Sequence, residues 1–161
     1  MSLTAKNITL TIQELLPLSN QPMTSSWTQS ITSIKVLDQK TVICVTGTLQ
    51  TILELKDSGP YTSGSMRYCG VTNVASVTGQ DVRLSLSGSK LGYVTYLIEP
   101  QQKLLFYNNK ILTDASSSSG YPITGEAPLD YLTWSKMQVV AIGTTGLPLQ
   151  FVYAAIETPF G

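Results

Sequence analysis

A few short constellations carry residue types that could do chemistry. Asp57-Ser58-Gly59 places an aspartate on a tight triplet. Two such carboxylates, one from each of two copies, could share a single proton in a dry site and act together as acid and base. That arrangement needs an apolar approach to the aspartate, but Lys56 precedes it and Pro60 follows the glycine. Asp, Ser, Gly and Pro in succession are each favoured in turns for local reasons, so the triplet reads as a turn. Ser89-Lys90 and Ser135-Lys136 hold the partners of a serine nucleophile with a lysine base. Sequence neighbours on a strand point to opposite faces, however, and no Gly-x-Ser-x-Gly elbow is present. Asp114, Glu126 and Asp130 could converge on calcium, yet the Asp-x-Asp spacing of a calcium loop is missing and they read as solvated loop acids.

The 161 residues include no histidine. Histidine is the side chain whose unperturbed pKa lies between pH 5 and 8, and it dominates acid–base catalysis and transition-metal ligation. Its absence excludes Ser-His-Asp and Cys-His pairs and zinc sites that need an imidazole. No enzyme activity, cofactor or metal is expected. Cys44 and Cys69 are the only cysteines. Cys44 lies in the apolar run Thr41–Val45, which favours buried free thiols over a disulfide. Asn7-Ile8-Thr9 fits the N-glycosylation pattern but reads as a strand edge.

Charged residues are 12% of the chain, ten basic and ten acidic, with no run of either sign. Serine and threonine fill roughly a quarter. Nucleic-acid affinity comes largely from clustered Lys and Arg, so no nucleic-acid partner is expected. A neutral, hydroxyl-rich surface has little self-repulsion, which favours homo-oligomers. Met1–Lys6 shows no charged region followed by an apolar run, so no signal peptide is expected, and no apolar stretch reaches the length of a membrane-spanning helix.

The residues suited to contact are aromatic. Tyr61, Tyr121 and Tyr131 fall in predicted loops among Ser, Thr, Gly and Pro, and with Trp134 they are the candidates for receptor or glycan contact. Tyrosine offers an apolar plate with a polar tip, suited to sugar rings or protein anchors. Ordinary packing on the rim of a β fold is the alternative for the tyrosines. For Trp27 and Trp134 the default is core.

The elements that must position these residues are strands. Ile8, Leu10 and Ile12 alternate with Thr9, Thr11 and Gln13, the period of a half-buried strand. Trp27–Val36 alternates too, and Asp38-Gln39 reads as a tight turn into Thr41–Thr46. Gly47 interrupts before Leu49–Leu55. Arg67–Val74, Asp81–Leu86, Tyr93–Glu99 and Leu104–Tyr107 follow, then Met137–Ile142 and Leu147–Ile156. The connectors 99–103 and Gly143-Thr144-Thr145-Gly146 read as hairpins, and Asn108-Asn109 as a turn. Only Ile12–Leu18 hints at a helical turn, which Pro17 would stop. Ser116–Ser119 opens a long irregular stretch through Pro128, the kind of loop in which binding residues concentrate. Regularly spaced short strands predict one all-β domain over 1–161, an antiparallel sandwich, jelly-roll-like or a related barrel, of about eight to ten strands.

From Lys103-Leu104-Leu105-Phe106-Tyr107 onward the order of features resembles the protruding domain of hepatitis-E-like capsid proteins. Ser119-Gly120-Tyr121-Pro122, Pro128-Leu129-Asp130-Tyr131-Leu132, Val139-Val140-Ala141 and Phe151-Val152-Tyr153-Ala154-Ala155 carry it. It spans about the last third of the chain. The resemblance implies a β fold that dimerises or trimerises on a virion surface and touches a receptor. It carries over no site residue. Composition points the same way: the expectation is a viral structural protein, a capsid or spike component assembling as a homo-oligomer and contributing to host attachment. A carbohydrate-binding module or lectin outside any virion is the alternative.

Overall fold

The computed structural model describes residues 6–16, 23–56, 61, 65–88, 92–108, 110–112 and 131–156. They form antiparallel β-sheets and no helix. In chain order the strands are β1 (Lys6–Leu16), β2 (Met23–Ile34), β3 (Val36–Cys44), β4 (Gln50–Glu54), β5 (Met66–Asn73) and β6 (Asp81–Ser87). They continue as β7 (Tyr93–Ile98), β8 (Lys103–Phe106), β9 (Lys110–Leu112), β10 (Tyr131–Thr133), β11 (Lys136–Ile142) and β12 (Leu147–Ala155).

Eight of these strands make two four-stranded sheets, ordered β3-β12-β5-β8 and β4-β11-β6-β7. The pairing is nested. β3 pairs with β12, β4 with β11, β5 with β8 and β6 with β7, so the first of the eight meets the last and the two middle strands meet each other. β12 also pairs β5 and β11 pairs β6, which joins the nested pairs into the two sheets. Among these eight, only β6 and β7 are successive in the chain and share a sheet. The connectors 99–103 and 143–146, read as hairpins from sequence, therefore cross between sheets. A short Gly- or Pro-containing connector serves either geometry, and turn chemistry does not distinguish them.

Period-two alternation decides which side chains fill the space between the sheets. Val82, Leu84 and Leu86 of β6 and Met137, Val139 and Ala141 of β11 meet Cys69 and Val71 of β5 and Leu149, Phe151 and Tyr153 of β12 in one core. Cys44 and Cys69 are free and buried within it.

Two local readings are corrected. Asp38-Gln39 is no turn: both residues lie inside β3, facing Tyr153 and Val152 of β12 in register. The break falls at Lys35, just after Ser33 takes a positive φ of 61°. Polar residues belong here because β3 is a sheet edge, where charges such as Lys40 discourage further strand pairing. The helical turn suggested at Ile12–Leu18 is strand through Leu16. The 57–59 triplet, Asn109, Ser89-Lys90 and the stretch 113–130, with Asp114, Glu126, Asp130 and the Ser116–Ser119 patch, lie outside the described residues.

Strands β1 and β2 pair only with each other, as a long ribbon. Its register puts Ile8, Leu10, Ile12, Trp27 and Ile31 on one face and Thr9, Thr11, Thr28 and Ser30 on the other. The apolar face packs at its root on the outer side of the β3-β12-β5-β8 sheet. There Ile31 and Ile34, with Ile8 and Leu10, cover Tyr68, Leu105, Val152 and Ala154. This contact explains why the C-terminal end of β12 is covered on its outer face at Ala154, while Gln150 further along is exposed.

Candidate interaction surface

Among the four aromatic residues singled out in the sequence, Trp134 is core. It is 1% exposed, with its ring edge-on to Phe106 at 6.0 Å, and Phe106 is in turn edge-on to Tyr96 at 6.0 Å. The assignment of Trp134 as a contact residue is corrected. It sits between β10 and β11, where the backbone at Thr133 and Trp134 passes directly over Gly88. A Cβ on Gly88 would collide with the Thr133 carbonyl, so the missing side chain is what allows the indole to enter the core.

Tyr61 is half-buried at the sheet edge. Its hydroxyl donates to Asp38 Oδ2 at 2.8 Å, and its ring meets Tyr153 edge-on at 5.1 Å. The bond to the Asp38 carboxylate, then burial, holds its phenol above the ordinary value, because losing the proton would set a phenolate against a carboxylate. Lys40 joins the same edge. Its ammonium donates to the Ile52 carbonyl at 3.0 Å, lies 5.1 Å from the Phe151 ring centroid, and is 4.0 Å from Asp38 Oδ2. Tyr61 thus closes the margin of the sandwich and is already engaged by its neighbours. Tyr131 belongs to β10, paired with Leu112 of β9. Tyr121 lies outside the described residues. Of the two candidates whose side chains are described, Trp134 is buried and Tyr61 is engaged at the sandwich margin, so neither offers an open aromatic face.

The exposed apolar residues lie elsewhere. On the ribbon, Ile12 and Trp27 sit directly opposite each other, 37% and 46% exposed, and Leu15 is 65% exposed. The default of a core tryptophan therefore fails for Trp27. Alternation showed that one face of the ribbon is apolar, but not that the ribbon runs out beyond the sheet that covers its root. Leu37 and Ile43 of β3 are also exposed, on the outer side of the same sheet.

Where the ribbon meets the sheet there is an open groove of about 440 Å³, lined by Gln29–Ser33, Arg67, Tyr107 and Ile156. Two irregularities shape it. The ribbon register slips between Lys6 and Ile8, and the β12–β5 register slips between Ala154 and Ala155, so Arg67 is the extra residue of a bulge and its exposed side chain lines the groove. Hydroxyls, an amide, a guanidinium and a phenol line it together with the apolar Ile31 and Ile156. Sequence reading had no signal for it, because neither bulge leaves a mark in the hydrophobic pattern.

For catalysis the described residues offer little. Burial pushes the Cys44 thiol up to about 11 and Cys69 up to about 12, which leaves both protonated and unreactive near neutral pH. Ser135 precedes β11 and Lys136 opens it. The Ser135 amide donates to the Ser87 carbonyl at 2.9 Å, and Lys136 lies 3.9 Å from Glu54. Among the described residues no three Cys, Asp or Glu side chains converge as a metal site, and no helix is long and apolar enough to cross a membrane. Comparison with family models, with curated proteins and with solved structures finds no match.

Proposed function

We propose that this chain is a structural component of a viral particle, a capsid or capsid-surface protein that assembles as a homo-oligomer. The observation that carries the reading is the nested strand order. Eight strands paired first-to-last in two four-stranded sheets follow the winding of a jelly roll, an architecture recurrent in viral capsid and lectin domains. Fold alone does not name a function. The surface supplies the rest: no net charge, no basic cluster, and an amphipathic ribbon carried outside the sandwich with apolar residues in solvent. The likeness of the last third of the sequence to hepatitis-E-like capsid protruding domains adds support of a separate kind.

The test is assembly. Purified chain examined by mass photometry and negative-stain electron microscopy is expected to give symmetric oligomers or closed particles. A strict monomer across about three decades of concentration would remove the reading.

A carbohydrate-binding module outside any virion is the second reading, and the groove at the ribbon root favours it. A guanidinium, a phenol and several hydroxyls around about 440 Å³ suit an acidic or neutral sugar. Glycan-array binding lost in Arg67→Ala and Tyr107→Ala, in a chain that does not assemble, would make it the better account.

A further inference from the structure

We infer that the outer half of the β1–β2 ribbon docks on a second copy of this chain, along the exposed β3 margin of that copy's β3-β12-β5-β8 sheet. The inference rests on the homo-oligomer reading above and names the surface that would build it.

Three observations converge. A two-stranded ribbon is marginal in water unless an apolar face is covered, and here only the root is covered. Ile8, Leu10 and Ile31 pack on the sheet, while Ile12 and Trp27, next along the same face, remain exposed. The apolar face therefore continues past the intramolecular contact that it begins.

The second observation is on the receiving side. The ribbon root covers Tyr68, Leu105, Val152 and Ala154 of the outer sheet face, but Leu37 and Ile43 on the same face are left 46% and 52% exposed. Leu37 is the register partner of Ala154, which the ribbon root covers, and Ile43, the partner of Pro148, lies further along the same outer face, beyond that contact. Ribbon and sheet each hold an uncovered part of one kind of interface. Contact in trans would cover both with chemistry that the fold uses in cis.

The third is charge. Between Ile8 and Ile31 the described ribbon carries one ionisable side chain, Glu14, which alternation puts on the face of Ile12 and Trp27 at its outer end, so docking centred on Trp27 leaves that single carboxylate at a solvated rim. Reciprocal docking is isologous: each copy lends its ribbon and receives the other's, which closes a two-fold dimer and leaves no open-ended chain of contacts. Trp27 is the anchor, because tryptophans near the centre of an interface carry a disproportionate share of binding energy.

The test uses the full-length chain in sedimentation velocity with thermal melts as the control for folding. Trp27→Glu and Ile43→Lys, each alone, are expected to weaken the dimer at least about ten-fold with little change in melting temperature at low concentration. An equimolar mixture of the two variants is expected to recover dimer. In the mixed pair one contact is native, Trp27 on Ile43, and the other sets the new carboxylate against the new ammonium. If the wild type associates and Ile43→Lys leaves association intact, or the mixture fails to recover it, this docking is wrong while the homo-oligomer reading stands. If the wild type is monomeric at every concentration, both fall together.

Discussion

Asn73 shows what one buried polar side chain can fix. Its Nδ2 donates to the carbonyls of Gln80 and Ile98, at 2.8 and 3.0 Å, and its Oδ1 accepts from the Ala75 amide at 3.1 Å. Its backbone exchanges further bonds with Gln101 and Gln102. A single residue at the end of β5 thereby ties the 74–80 connection to the β7–β8 crossing. Asn73→Leu fills similar volume but strands two carbonyls and one amide away from water. The expected cost is about 2–4 kcal/mol, read as a lower urea midpoint, since each buried orphan group costs roughly 1–3 kcal/mol. The thiols make a second prediction, this time in pH. Well below the ordinary thiol value of about 8.5 both cysteines are protonated whether folded or unfolded, so they contribute no slope. Above it the unfolded thiols release protons, while folded Cys44 and Cys69 hold theirs up to about 11 and 12. The folded state then binds more protons than the unfolded state, and stability falls as pH rises, by up to about 1.4 kcal/mol per pH unit per thiol. Buried Tyr153, pushed up to about 12 by desolvation, adds in the same direction at still higher pH. Urea midpoints measured from about pH 8 to about pH 10 should decline, and Cys69→Ala should flatten the decline. An unchanged slope in that variant would mean that the thiol does not titrate with unfolding.

At the scale of elements, the strands were legible because alternation is a direct consequence of burying one face. Ile8-Leu10-Ile12, Val82-Leu84-Leu86 and Leu147-Leu149-Phe151 each announce a strand and its inward side. Their partners were not legible. β7 and β8 adjoin in sequence but lie in different sheets, and nothing local in 99–103 separates a hairpin from a crossing. The two tryptophans changed places for a related reason. Periodicity says that a residue faces an apolar side, whereas exposure depends on whether another element arrives to cover it. Trp27 has only a ribbon beneath it. Trp134 enters the core because Gly88, distant in sequence, leaves room for the chain to pass. The tyrosine platform expected near Tyr61 rested on exposure, and the Asp38 bond and the Tyr153 contact that occupy Tyr61 join residues far apart in sequence. Gly88→Ala tests this account of Trp134. The added methyl meets the Thr133 carbonyl, backbone that cannot swing aside as a side-chain tip could. A loss of about 1–3 kcal/mol is expected, as for other overpacked sites, together with a changed near-ultraviolet tryptophan signal. An unchanged signal would show that the crossing yields without moving the indole.

For the whole molecule, the decisive property is how association would respond to salt. The chain has ten basic and ten acidic residues and no net charge. The Trp27–Ile43 contact proposed between copies is apolar. Steering and binding by opposed charge patches weaken as salt screens them, over about 10 Å at 0.1 M ionic strength. Burial of apolar surface is not screened in that way, and sulfate strengthens it by its exclusion from protein surface. The assembly is therefore expected to hold its dissociation constant within about three-fold between low and moderate sodium chloride, and to tighten in ammonium sulfate. Burying apolar area should also give a negative heat-capacity change on association. Sedimentation equilibrium across the salt series and titration calorimetry at several temperatures measure both quantities. A dissociation constant that rises steeply with sodium chloride would point to charged contacts such as Arg67, Arg83 or Lys103, and would move the interface away from the ribbon. Salt indifference with a negative heat-capacity change would instead match a molecule whose outer surface, like its core, is organised around apolar contact and hydroxyls, with charge too sparse to direct it.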